Sequence, residues 1–352
     1  MIKTARHARG LTLADLAGKT GIDKGMLSKI ETGLARINTD HIKAISSNLN
    51  YPLNFFYVCS TEGRYSDFFY RKRVKMPVKE KEKIDAQIDV LRIMYERLLN
   101  LADIPEPKIM NMAPSGALTP ERIAEIARDF YKIGKGPIQN LINIIEKHGI
   151  AVLYLDTDSE QFDGVTAYSD NGYPMIVLNK NKPNDRKRFT LAHELGHMIM
   201  HFPYRFNPNF YDKMENEKDD VFEREADRFA SEFLLPASDV FQSLQHITYG
   251  RLGLLKEYWN VSKSALIRRA KTLNCINATR YSSLMIELSR NGERKNETGE
   301  VNLDTPQLFR KLIEAGMLDL TEYDLAEYTC VAHDDLKQQN ILYSSGKLKI
   351  VV

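Results

Sequence analysis

Several things are scarce in this 352-residue chain, and each scarcity excludes a class of protein. Cysteine occurs three times, at Cys59, Cys275 and Cys330, odd in number and far apart. That excludes a disulfide framework and leaves reduced thiols as the expectation. No apolar run approaches the length of a membrane span, and the opening MIKTARHARG lacks the apolar core of a signal peptide. A cytoplasmic protein with no membrane partner is therefore expected. No repeat of solenoid period is visible. Net charge is also small, at +2, but it is not evenly spread. Residues 1–58 carry eight Lys/Arg against four Asp/Glu, residues 64–83 eight against three, and residues 207–220 two against five. A basic amino-terminal quarter favours a nucleic-acid partner over a membrane surface.

What is present is the balance of a soluble globular protein, 43% hydrophobic and 27% charged, long enough for two or three domains. Residues 1–58 read as short helices. Thr12 is placed to cap one that puts Leu13, Leu16 and Ala17 on one face, and a turn at TGID follows. The next helix runs from about Lys24 to Thr32 and stops at Gly33, and another turns Ile42, Ile45 and Leu49 inward. A basic connector, RYSDFFYRKRVKMP, leads to a long helix at about 78–103 with an apolar seam of Ile84, Ile88, Leu91, Tyr95, Leu98 and Ala102. Such a seam suits packing on its own domain or, in a homodimer, on a twin chain.

The Pro/Gly/Ser-rich stretch IPEPKIMNMAPSGALTP marks a domain boundary, after which Thr119-Pro120-Glu121 opens a helix in the order cap, then proline. GIAVLYLD reads as a buried strand, and GVTAYSDNGYPMIVLN as two strands around an Asp-Asn-Gly turn. The expected fold is mainly α with a small β-sheet, an α+β protein. Its divisions are a domain of short helices over 1–58, a connector and long helix over 59–104, a mixed α and β domain over 105–245, and a helical region over 246–352.

The chemistry concentrates in FTLAHELGHMIMHF, residues 189–202. His193 and His197 stand four apart, so on a helix their rings leave one face about 5–6 Å apart at Cβ and can share one ion. Glu194, turned away by about a third of a turn, reaches a metal-polarised water without binding the metal. That is the arrangement of a peptide-hydrolysing zinc site. Leu191, Leu195 and Met198 fill the opposite face, so the helix is apolar nearly all around except at its histidine stripe; the plain alternative is a satisfied polar stripe on a buried helix. His201 lies two turns from His193, about 12 Å along the axis, too far to share the ion. A third ligand is best sought in EREAD. Glu223 stands 26 residues after His197, with Asp227 on its face to hydrogen-bond the far nitrogen of a ligand histidine. Glu225 and Glu232 are the rivals. Zinc is the default ion for two histidines and a carboxylate, and manganese is the alternative.

With these residues in view, the chain resembles the ImmA/IrrE family of metallopeptidases, a branch of which begins with a Cro/CI-type (XRE) helix-turn-helix domain. The likeness runs through PIQNLINIIEKHGIAVLYLD, DGVTAY, MIVLN, RFTLAHELGHMIMH, EREADRFASEFLLP and YWNVSKSALIRRAKTLNCI. The resemblance implies metal ligands at His193, His197 and Glu223, Glu194 as catalytic base, and a gluzincin-like fold whose strand MIVLN pairs with an extended substrate. It also implies a helix-turn-helix repressor as protein substrate, cleaved to release mobile-element or stress genes. LTLADLAGKTGIDKGMLSKIETG is similar to a Cro/CI helix-turn-helix, which would turn Lys24, Gly25, Ser28 and Lys29 toward DNA with Arg36 at the backbone. It departs from many such domains in having Leu13 where they carry a glutamine, and either its first helix is expected to be short or its true start to lie upstream of Met1.

Two functions follow, compatible in one chain: a zinc endopeptidase, or a DNA-binding regulator or antitoxin whose metal site is structural or sensory. A scaffold without chemistry would leave the H-E-x-x-H run to chance. In the last third, Arg268, Arg269 and Lys271 around Trp259 offer either a second nucleic-acid surface or a solvated helix face, and His333 reads as structural.

Overall fold

A computed structural model describes residues 1–58, 76–101, 105–202, 220–294, 296–315 and 321–339. Cys59, Ala102, most of the basic connector and nearly all of the acidic stretch lie outside these residues.

The amino-terminal helices are α1 (Ile2–Ala8), α2 (Leu13–Thr20), α3 (Lys24–Glu31) and α4 (Thr39–Leu49). Their ends are set by local chemistry. Thr12 and Asp15 form a reciprocal capping box at α2, Asp23 accepts from the Met26 amide at α3, and Asn38 accepts from that of His41 at α4. Gly21 ends α2 at φ 71°, a left-handed turn that costs glycine nothing. Leu16, Leu27, Ile45 and Leu49 are buried together, and Arg6 donates two 2.7 Å hydrogen bonds to the Glu31 carboxylate.

Helix α5 (Val78–Leu99) carries the expected seam, with Ile84, Ile88, Leu91, Tyr95 and Leu98 all buried. Val90, Ile93 and Met94 on its other faces are buried as well. The chain itself packs on this helix, with α1 on one side and carboxy-terminal helices on another, which is the own-chain reading of the seam. A stripe that satisfies heptad spacing does not by itself say which element fills it.

A three-stranded sheet follows, made of β1 (Ala151–Leu155), β2 (Gly164–Tyr168) and β3 (Pro174–Asn179) in the order β1-β3-β2. β3 runs parallel to β1 and antiparallel to β2, with Thr166 opposite Ile176. Alternation along the strands divides their side chains between two cores. Leu153, Val165 and Val177 join the core of α5 and the amino-terminal helices, whereas Val152, Ile176 and Leu178 join a second core. The second is built on α6 (Pro120–Phe130), α7 (Leu141–Glu146), α8 (Asn184–Met200) and α9 (Asp220–Leu234).

The chain continues through α10 (Ala237–Leu244), α11 (Tyr249–Trp259), α12 (Lys263–Thr272) and α13 (Ala278–Arg290). It ends in α14 (Leu308–Ala315), α15 (Glu322–Thr329) and α16 (His333–Gln338). The polar stretch between α13 and α14 is a strap, not a free loop. Glu293 binds the Lys263 ammonium and Glu297 that of Lys256, while Asp304 accepts the Ile142 and Asn143 amides of α7. Arg269 is 2% exposed and paired with Glu232, and Lys271 lies 4.4 Å over the Tyr281 ring. Burial and pairing take Arg269 out of any second nucleic-acid surface, whereas Arg268 and Lys271 stay exposed.

Candidate metal centre

Helix α8 is buried from Thr190 to Met200 on every side, which its sequence requires, because apolar residues surround the histidine stripe. Arg188, 0% exposed, anchors its first half by donating to the backbone carbonyls of Asn260, Asn302 and Ile138. Against it lies α9, whose Ala226, Phe229, Ala230 and Phe233 are fully buried. The two helices touch closely at Gly196, where an added Cβ would lie 2.9 Å from the Phe229 ring.

This contact brings His193, His197 and Glu223 together, one ligand-type atom from each lying within 4.8 Å of the others. The His193 and His197 Nε2 atoms are 3.0 Å apart. Glu223 places Oε2 at 3.4 Å from the first and Oε1 at 3.3 Å from the second.

The donor chemistry fits a cation. The Nδ1 of His193 lies 2.8 Å from the Asp227 carboxylate, which can only accept, so Nδ1 carries the hydrogen and Nε2 a lone pair. That lone pair faces carboxylate oxygens, an arrangement that repels unless a positive charge stands between. Tetrahedral bonds of about 2.0–2.1 Å would separate neighbouring ligand atoms by about 3.3 Å, and the separations here are 3.0, 3.3 and 3.4 Å.

The rivals of Glu223 are engaged elsewhere. Glu225 meets the Nε2 of His201 at 3.0 Å, and Glu232 pairs with Arg269 and accepts the Ala237 amide. Glu194 is 5% exposed, beside the histidines, and Thr166 Oγ1 donates to its Oε2 at 2.9 Å. Sequence reasoning passed over Thr166, which has no local signal: alternation along β2 turns it away from its neighbours Val165 and Ala167 and toward α8. It also gave His201 no partner; the structure sets its Nδ1 2.9 Å from the Nδ1 of His197, where burial pushes its pKa down to about 4.

One expectation fails at the sheet. MIVLN is β3, the central strand, hydrogen-bonded on both sides, and has no edge for a substrate to join. Periodicity shows that a strand is buried but does not give its place in the sheet.

At the amino terminus, Lys24, Gly25 and Lys29 are exposed on α3, Ser28 is half-buried, and Arg36 is exposed in the segment that follows. Leu27 and Ile30 hold the opposite face of α3 in the core.

Residues 145–271 match the family model of the IrrE N-terminal-like domain, an M78 peptidase domain, and residues 2–56 match that of a helix-turn-helix. No curated protein matches the chain.

Proposed function

We propose that this chain, which joins a helix-turn-helix domain to an IrrE N-terminal-like peptidase domain of metallopeptidase type, is a zinc-dependent endopeptidase. The ion would be held by His193, His197 and Glu223. The observation that carries this is the convergence of those three groups on a buried helix pair, with the Glu194 carboxylate beside them. Zinc suits two imidazoles and one carboxylate, and manganese is the alternative the same donors admit.

A divalent ion bound there supplies Lewis acidity, lowering the pKa of a water and polarising a carbonyl. Glu194 takes the proton of the water that attacks the scissile carbonyl, then gives it to the amine nitrogen as the C–N bond breaks. Thr166 holds the carboxylate that does both. Asp227 fixes the His193 ring so that its lone pair points inward. The substrate we infer is a protein, a helix-turn-helix repressor whose cleavage would release mobile-element or stress genes, in the cytoplasm. An extended segment of it would pair along β2, an edge strand of the sheet and the one that carries Thr166. Glu194→Gln should retain metal and lose cleavage of the cognate repressor by about a hundredfold or more. Equal cleavage by the variant and the wild type would remove the mechanism.

A second reading, favoured by the exposed cations of α3, is that the protein also binds DNA as a regulator. Lys24, Gly25, Ser28 and Lys29 would face the major groove and Arg36 the backbone. Replacing Lys24 and Lys29 together by alanine should weaken a gel-shift on DNA upstream of its own gene. The salt slope should fall by about one for each phosphate that is no longer neutralised. Unchanged affinity would exclude groove binding by α3.

A further inference from the structure

The reaction above leaves one imidazole of the stripe unused. His201 is 1% exposed, with its Nδ1 2.9 Å from the Nδ1 of His197 and its Nε2 3.0 Å from Oε2 of Glu225. Two ring nitrogens facing at that distance share one hydrogen, and the far end of the chain says which ring carries it. A carboxylate only accepts, so the Nε2 of His201 donates to Glu225, and the Nδ1 of the neutral ring keeps its lone pair. That lone pair accepts the Nδ1–H of His197. His197 is then left with a lone pair on Nε2, the atom that faces Glu223 and His193.

We propose that His201, anchored by Glu225, is a positioning residue that fixes the tautomer and ring plane of His197, as Asp227 does directly for His193. The inference rests on the ligand assignment under Proposed function. Both ring nitrogens of His201 are engaged in this chain, so it is not itself a ligand. The geometry gives α9 a repeated role. Its alternate residues Glu223, Glu225 and Asp227 supply one carboxylate to the ion and one behind each histidine, the path to His197 being longer by one ring. Where a carboxylate would not reach His197 directly, an imidazole spans the gap.

The test is competition for zinc between a chromophoric chelator and the full chain, as wild type, His201→Phe, His201→Gln, Glu225→Ala and His193→Ala, with thermal unfolding of each metal-free protein alongside. Glutamine can accept from His197 through its oxygen and donate to Glu225 through its nitrogen; phenylalanine can do neither. His201→Phe should bind zinc about 10–100-fold more weakly, Glu225→Ala should fall in the same direction, and His201→Gln should recover most of the loss at a similar metal-free unfolding temperature. The proposal is overturned if His201→Phe holds zinc as tightly as wild type, or if His201→Gln is as weak as His201→Phe. A His193→Ala protein with undiminished zinc affinity would instead overturn the ligand assignment beneath it, so the two failures read differently.

Discussion

Thr166 is 0% exposed, and its hydroxyl donates to a glutamate that is itself nearly sealed from water. A carboxylate shut away from water is oriented by the protein donors that reach it, and this hydroxyl is one of them. Thr166→Val keeps the shape and removes the donor. We expect kcat/KM for peptide cleavage to fall roughly tenfold, the loss of a hydrogen bond to a charged group of about 1.5 kcal/mol, with metal content unchanged. A variant as fast as wild type would show that Thr166 does not orient the base. At this scale the sequence was legible where function is local. An i, i+4 pair lies on one helical face whatever the surroundings, so His193 and His197 could be read together. Thr166 could not, because its meeting with Glu194 depends on how β2 lies across α8.

The contact between α8 and α9 sets the site at the scale of elements, since α8 brings both histidines and α9 brings Glu223. Gly196 permits the approach. A methyl group there would meet Phe229 at 2.9 Å from the ring and 3.3 Å from its Cβ, so α9 must shift. Alanine favours a helix interior over glycine by about 1 kcal/mol, but overpacking costs about 1–3 kcal/mol. Gly196→Ala should therefore lower the unfolding temperature and weaken metal binding together, read by thermal melts and chelator competition. A loss of stability with metal affinity intact would mean that the spacing of the helices does not position Glu223. Element ends were readable, because Thr12 and Thr119 act on amides three residues away. The employment of Glu225 and Glu232 was not, since their partners, His201 and Arg269, lie 24 and 37 residues away along the chain.

Across the whole molecule, the sheet serves two cores at once, and the last third of the chain is tied to both. Arg9 of the amino-terminal region binds Asp335, and Glu146 at the end of α7 accepts the Gln307 and Leu308 amides at the start of α14. Burial pushes the Glu146 carboxyl up from 4.5 to about 7, against the pull of those two amides. Between these values the folded protein keeps a proton that the unfolded chain has released. The contribution of this group to stability is therefore full below the lower value and is lost as pH rises through the upper one. Glu146→Gln stays neutral throughout. Its unfolding temperature should gain on that of the wild type as pH is raised from about 5 to about 8, and a difference that stays constant over that range would show that Glu146 does not titrate near neutrality in the folded state.

By itself the sequence determined the elements and the pairing of the two histidines, because capping, amphipathic spacing and helical period act within a few residues. The tertiary structure alone decided which acid stands opposite them, that β3 lies inside the sheet, and that the seam of α5 is filled by its own chain. Those outcomes depend on which distant surfaces exclude water from one another, and hydrophobic burial has no direction that a local pattern could encode.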